Sequence, residues 1–209
     1  MKVLELFAGT RSIGKMFEEA GHEVFSVEWD KSHENIDLHT DIGTLTTKEI
    51  LDKFGRPDVI WASPDCTSYS IAAISHHRRK EENTLFPVSD YAKFCDSVNK
   101  NVLKLIEELK PKYYFIENPR GGMRKMDFMS ELPIYTVTYC QYGDTRMKPT
   151  DIWTNHPDPQ FKSMCKNGDS CHISAPRGSK TGTQGLKGSK LRSVIPEELC
   201  RHIVKISEV

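Results

Sequence analysis

The stretch Val3-Leu4-Glu5-Leu6-Phe7-Ala8-Gly9-Thr10-Arg11-Ser12-Ile13-Gly14-Lys15-Met16-Phe17, continued by Glu23-Val24-Phe25-Ser26-Val27-Glu28, decides the fold. A short β-rich run breaks at a glycine-containing polar turn. Ile13, Met16, Phe17 and Ala20 then fall on one helical face, with Gly21 as a stop. A second β-rich run over 23–28 completes strand, helix, strand. The same alternation continues outward. Asp58 to Ala62, Tyr113 to Glu117 and Ile134 to Tyr139 read as strands, and Val98, Val102, Leu105, Ile106 and Leu109 form a longer amphipathic stripe ended by Pro111. Repetition of this unit predicts an α/β fold, a doubly wound and mostly parallel sheet covered on both faces. In such a sheet ligands collect where strands give way to turns.

Composition bounds the reading without choosing a partner. The chain has 209 residues, enough for one substantial domain, and Lys+Arg and Asp+Glu both total 29, so net charge selects nothing. No run approaches a membrane span, and Glu5 interrupts what a signal peptide needs apolar, so a cytoplasmic protein with reduced thiols is expected. From about Asn155 to Lys190 apolar periodicity fades, glycines and serines accumulate, and Lys162, Lys166, Arg177, Lys180, Lys187 and Lys190 outnumber the acids. That segment should be irregular or hairpin-like, resting on the sheet domain. Order resumes at Ile195-Pro196-Glu197-Glu198-Leu199, where Leu199, Ile203 and Ile206 make an apolar face. The chain therefore divides into a main domain, 1–154 plus 191–209, and a short basic segment, 155–190.

Four segments carry chemistry. The turn at Phe7-Ala8-Gly9-Thr10, entering a helix at Ser12-Ile13, permits close backbone approach and presents free amides, as nucleotide-type cofactor sites do. Glu28 follows the glycine turn by about 20 residues, a spacing at which a carboxylate binds ribose hydroxyls. Trp29 reads either as an adenine platform or as a core residue, and Asp41-Ile42 as a further contact. Cys66 sits past a strand broken at Ser63-Pro64, on a loop at the reactive edge, whereas Cys95, Cys140 and Cys200 lie in apolar patterns and read as small buried residues. The run His76-His77-Arg78-Arg79-Lys80 reads as a solvated face or, beside a nucleophile, as a phosphate clamp. Glu117 ends an apolar strand, where a carboxylate tends to stay protonated; a helix-capping role is the alternative for it and for Asn118. In Cys165-Lys166-Asn167-Gly168-Asp169-Ser170-Cys171-His172, with His156 as a further candidate, the spacing is wider than paired zinc ligands use. Turn chemistry at Asn167-Gly168-Asp169 accounts for it, and no metal is expected.

Taken in order, these residues resemble the cytosine-C5 DNA methyltransferases over most of the chain. Leu6-Phe7-Ala8-Gly9 is similar to that family's cofactor turn, Ser63-Pro64-Asp65-Cys66 to its nucleophile loop, and Glu117-Asn118-Pro119 to its Glu-Asn pair. Tyr142-Gly143 through Arg146 and Lys148 resembles its arginine segment, and Ile195-Pro196 through Leu199 its closing helix. The resemblance implies a Rossmann-like methyltransferase sheet using S-adenosylmethionine, held by Phe7, Ala8, Gly9, Thr10, Ser12, Ile13, Glu28, Trp29, Asp41, Ile42 and Pro64. It implies Cys66 as nucleophile, Glu117 as the acid at the cytosine ring nitrogen and Arg146 at the ring oxygen. Ser63, Asn118, Pro119, Lys148, Arg78 and Arg79 are the expected substrate contacts. The partner is DNA with the target base flipped from the stack, engaged by a monomer. Three positions depart from the pattern: Asp65 stands where the family has proline, Asp144-Thr145 precedes Arg146 in place of a glutamine, and Arg192-Ser193 replaces a Gly-Asn pair. Asp65 should raise the thiol pKa unless a cation such as Arg146 offsets it. RNA cytosine methylation and a catalytically impaired nucleic-acid-binding relative are the alternatives. The brevity of segment 155–190 predicts a short or relaxed recognition sequence, or salt-dependent affinity.

Overall fold

The computed structural model describes residues 1–82, 84–174 and 188–209. Its centre is a seven-stranded sheet built from β1 (Lys2–Leu6), β2 (Glu23–Glu28), β3 (Leu38–His39), β4 (Val59–Ala62), β7 (Tyr113–Pro119), β8 (Ile134–Thr138) and β9 (Pro149–Thr154). The order across the sheet is β3-β2-β1-β4-β7-β9-β8. The first five are mutually parallel, and β9 runs antiparallel between β7 and β8. A separate antiparallel hairpin pairs β5 (Arg78–Glu81) with β6 (Thr84–Pro87).

Period-two alternation divides the strand residues between two cores. Leu4, Leu6, Ile60, Ala62, Tyr114 and Ile116 face one side, against Ile50 of α2 (Thr47–Lys53) and Cys95, Val98, Val102, Leu105 and Leu109 of α4 (Asp90–Leu109). Val3, Val59, Trp61 and Phe115 face the other, against Ile13 and Phe17 of α1 (Ser12–Glu19) and Leu199, Ile203 and Ile206 of α6 (Glu197–Ser207). Helices therefore cover both faces, as the repeated strand-helix pattern requires. The helix starts have local causes: the Thr46 side chain accepts the Glu49 N–H, and the Ser89 side chain accepts the Ala92 N–H. Two short helices, α3 (Ile74–His77) and α5 (Ser189–Ser193), complete the set.

The five strands read from sequence are present within a residue or two of their expected limits. The sequence pattern omits β3 and β9 of the central sheet and the β5–β6 hairpin; for β9 the cause is Asp151. A charge in a central strand contradicts a strand pattern, but Asp151 is fully buried by a bidentate pair with Arg124. Residues 155–174 hold no helix or strand, and this irregular stretch matches the expectation; Arg177, Lys180 and Lys187 lie outside the described residues. No described helix is long and apolar enough to cross a membrane.

Candidate active site

The turn from β1 into α1 is wound by residues that rarely adopt its geometry. Phe7, Gly9 and Arg11 have φ of 58°, 49° and 56°, the left-handed region, which costs a non-glycine residue about 1 kcal/mol or more. Two anchors hold it. Glu28 accepts the Gly9 N–H at 3.0 Å with one oxygen and the Trp29 and Asp30 N–H groups with the other. Beneath the turn, buried Glu5 accepts the Gly14 N–H at 2.8 Å and the Ser26 hydroxyl at 2.7 Å, with the Arg11 guanidinium 3.7 Å away. Gly14 is glycine for a steric reason: a Cβ there would lie 2.3 Å from a Glu5 oxygen. Burial pushes the Glu5 carboxyl up to about 7, against the hydrogen bonds and Arg11.

Beside this turn opens a cleft of about 360 Å³, lined on one wall by Phe7, Trp29, Asp41, Ile42 and Pro64, all five expected at a cofactor, with Asp65 at the same edge. Trp29 is 68% exposed, which removes the core reading. The opposite wall was not legible from the sequence: Tyr91, Phe94, Cys95, Val98 and Asn99 from the first half of α4. The apolar stripe as read began at Val98, about two turns past the start of the helix, and so left out Tyr91 and Phe94. Ala8 is buried with its N–H on Val27 O, and Thr10 and Ser12 pair their hydroxyls at 3.0 Å. Ile13 is a correction: its side chain is fully buried between α1 and the sheet, so only its main chain remains available to a ligand.

Cys66 opens a short 3-10 turn, Thr67–Tyr69, at the end of β4 and is half-buried. Pro64 O accepts the Asn118 amide at 2.9 Å, which ties this loop to β7, while Asn118 Oδ1 is buried without a partner among the described residues. Because neighbours on a strand point to opposite faces, Glu117 turns the other way, toward Tyr139, whose hydroxyl donates to it at 3.0 Å. Burial holds the Glu117 carboxyl above its ordinary range, with Lys148 and the Tyr139 hydroxyl opposing. The Cys66 thiol is pushed up by burial, then by Asp65 and Glu117, and drawn down by Lys148. Asp65 thus acts as expected, but the opposing cation is Lys148 and not Arg146. Lys148 itself is lowered by burial; it lies 4.4 Å over the Tyr139 ring and donates to Arg192 O at 2.9 Å.

Arg146 is 6% exposed and clamped to Asp144, with longer contacts of 3.4 Å to Arg192 O and Val194 O. Ser63 accepts the indole N–H of buried Trp61 at 2.6 Å, and Pro119 closes β7 against Thr150, so both position the edge. Arg78 is a second correction. It cannot clamp phosphate, because its guanidinium is enclosed: it donates to both oxygens of Asp96 on α4 and to Ser68 O, and lies 4.2 Å from the Tyr69 ring. Its role is to fix the turn after Cys66 to α4. Arg79 is exposed and paired with Glu81. Gly121 allows the next loop to pack on the same turn, since a Cβ would meet Tyr69 O at 2.7 Å.

The segment Cys165 to His172, expected to be a turn without metal, gains a fourth member that the sequence did not supply. Cys140, taken as a core thiol, converges with Cys165, Cys171 and His172, their ligand atoms within 4.8 Å of one another. His156 is elsewhere, on Ile206 O.

The family model described as C-5 cytosine-specific DNA methylase matches residues 1–136. A probable DNA (cytosine-5)-methyltransferase of Frog virus 3 (isolate Goorha) is 31% identical over 157 residues, 74% of this chain and 71% of its own. Among solved structures, a putative DNA modification methyltransferase encoded within a prophage (E. coli) aligns with a TM-score of 0.55 at 17% identity, over 74% of this chain and 46% of that one. A triple mutant of Spodoptera frugiperda DNMT2 aligns at 0.52 and 17%, over 83% and 57%. At such identities these two speak for the Rossmann-like fold alone, and the chain spans about half their length.

Proposed function

The chain belongs to the C-5 cytosine-specific DNA methylase family, and we propose that it transfers a methyl group from S-adenosylmethionine to C5 of cytosine in DNA through a covalent adduct at Cys66. The observation that carries this reading is the placement of the half-buried Cys66 on the loop that Asn118 ties to the end of β7, next to buried Glu117 on the same strand, with Lys148 on the turn that leads into β9.

The cleft beside the β1 turn fits the cofactor in shape and charge. Trp29 offers a face to adenine, Glu28 retains lone pairs for ribose hydroxyls, and Asp41 and Asp65 are the acidic groups on an otherwise mostly apolar lining, suited to a cationic sulfonium and ammonium. When bound, the cofactor supplies an electrophilic methyl group. The chain's residues prepare the ring to receive it. The Cys66 thiolate forms a bond to C6, while Glu117, whose carboxyl burial holds above its ordinary range, donates a proton to N3, so the electron pair gathers at C5. Arg146, released from Asp144, holds the ring oxygen. After methylation a base takes the C5 proton, the double bond reforms, the thiolate departs and the N3 proton returns to Glu117. A base stacked in a duplex cannot reach Cys66, so the target is flipped out or single-stranded. Residues 1–154 and 191–209 serve as the catalytic unit and 155–190 as a short recognition segment, in a cytoplasmic monomer.

The test is trapping on 5-fluorocytosine DNA, where fluorine at C5 blocks release of the thiol. A denaturant-stable, cofactor-dependent complex is expected from wild type and none from Cys66→Ala. Adducts formed on transfer RNA but not on DNA would change the polymer. DNA binding with no adduct would mark an impaired relative and overturn the catalytic reading.

A further inference from the structure

We propose that Cys140, Cys165, Cys171 and His172 form a tetrahedral zinc site that staples the irregular segment 155–174 to the strand-end turn leading into Arg146 and Lys148. The four ligand atoms come from separate stretches: Cys140 from the 3-10 turn Tyr139–Tyr142 after β8, the others from a region without helix or strand.

The separations suit a metal. Metal–sulfur bonds of ~2.3 Å and metal–nitrogen bonds of ~2.0–2.1 Å in a tetrahedron place sulfurs about 3.8 Å apart and sulfur about 3.5 Å from nitrogen. The Cys171 and Cys140 sulfurs are 3.6 Å apart, and Cys165 and Cys140 3.1 Å. His172 Nδ1 lies 3.5 Å from Cys171 Sγ and 3.7 Å from Cys165 Sγ. The Cys171–Cys140 edge and both sulfur–nitrogen edges lie within about 0.2 Å of such a shell, and the shorter Cys165–Cys140 edge is one that a central ion would draw apart.

The chemistry of the set points the same way. Three thiolates and an imidazole are a closed, soft donor set of the structural zinc type. Gln141 aims its amide N–H at Cys171 Sγ, 3.5 Å away, as groups around a metal thiolate do. All six cysteines are free, and a disulfide between two of the three would leave the third thiol and the imidazole gathered without cause. His172 Nε2 is buried and finds no partner among the described residues, so the ring is not held by hydrogen bonds on that side. Around the cluster, Cys165 N–H donates to Thr138 Oγ1 at 3.1 Å and Ile173 N–H to Thr145 O at 2.9 Å, so both strands of the clasp are already in register. The stretch has few apolar contacts of its own, which is the situation in which a metal substitutes for a core.

The site is tested on the full chain, purified from zinc-supplemented cells under reducing conditions and dialysed without chelator. Elemental analysis should find about one zinc per chain, falling below ~0.2 in Cys140→Ser and Cys165→Ser, while Cys200→Ser, a buried thiol outside the cluster, and His172→Cys keep it. Cobalt exchange should give the thiolate charge-transfer and tetrahedral ligand-field bands. If the serine variants fail to fold, titration of wild type with a mercurial should release the zinc as the thiols are blocked. Wild type without metal, full occupancy in Cys140→Ser, or a Cys140–Cys165 disulfide in the unreduced chain would overturn the proposal. None of these readouts depends on methyl transfer, so the site stands or falls separately from the role of Cys66.

Discussion

Two buried guanidiniums flank the reactive edge, Arg78 and Arg146, 5% and 6% exposed. Each is paired with a carboxylate, and the pairs differ in where the carboxylate comes from. Asp96, the partner of Arg78, lies 18 residues away on α4, whereas Asp144 is two residues before Arg146 in the same turn. Opening the first pair means separating the hairpin, the turn after Cys66 and a long helix. Opening the second means rotating one side chain. Equal burial therefore hides unequal attachment: one pair fastens elements, and the other holds a cation within a single turn, from which, on the proposed function, it would be released to the substrate.

The largest effect should follow from breaking the fastener. Arg78→Ala leaves Asp96 buried beside Tyr69 without its counter-charge, and removing one partner of a buried pair costs ~3–5 kcal/mol. Urea melts should show that loss, with methyl transfer failing through instability. Arg146→Ala should separate the two quantities. Asp144, partly solvated once released, should limit the stability loss to about 1 kcal/mol, while methyl transfer falls ~10²–10³-fold for want of a group on the ring oxygen. Equal destabilisation by the two substitutions would erase the distinction.

The sequence carried one of these arginines and misplaced the other. Arg146 stands at a fixed distance from a recognisable Tyr-Gly, so its place beside the edge followed from the resemblance, while its pairing with Asp144 did not. Arg78 sits in a basic run, and a charge run reads as surface unless a distant acid is known to meet it; Asp96 lies on a helical stripe whose sequence signal is apolar. Cys140, likewise, is 25 residues from its nearest cluster mate in the chain and indistinguishable from a core thiol. The parallel strands, and the five residues expected at a cofactor that the structure gathers in one cleft, were legible because each depends on local periodicity or on a turn. The opposite wall, β9 and the place of Cys140 in the cysteine cluster depend on pairings between remote residues, which local patterns do not encode.

A third buried guanidinium, Arg11, extends the comparison, because its acid, Glu5, is not fully neutralised by it. Burial raises Glu5 to about 7, above its unfolded value, so the folded chain binds more protons than the unfolded one between those values. The stabilisation is complete below the unfolded pKa and is lost as pH rises through about 7. From pH ~5 to ~8 stability should decline by roughly 2 kcal/mol on this account, at ~1.4 kcal/mol per tenfold change in protons. Chemical melts across that range should find a shallower slope in Glu5→Gln. An unchanged slope would mean that Arg11 binds Glu5 as firmly as Asp96 binds Arg78.

The smallest effect belongs to Asp65, and it tests which cation the nucleophile feels. The Asp65 carboxylate accepts the Thr67 N–H at 2.7 Å, holding the turn, while its charge raises the Cys66 thiol. Asp65→Asn keeps a side-chain oxygen for that hydrogen bond and removes the charge. Thiolate should then form at lower pH, so iodoacetamide alkylation of Cys66 at neutral pH should rise several-fold and its pH profile move to the acid side. Lys148→Met should move the same profile to the alkaline side, because Lys148 favours the thiolate. Arg146→Ala should leave it in place, since the guanidinium is spent on Asp144 until substrate arrives. A shift in the Arg146 variant as large as that in the Lys148 variant would return Arg146 to the thiol and undo the division of labour between the two cations.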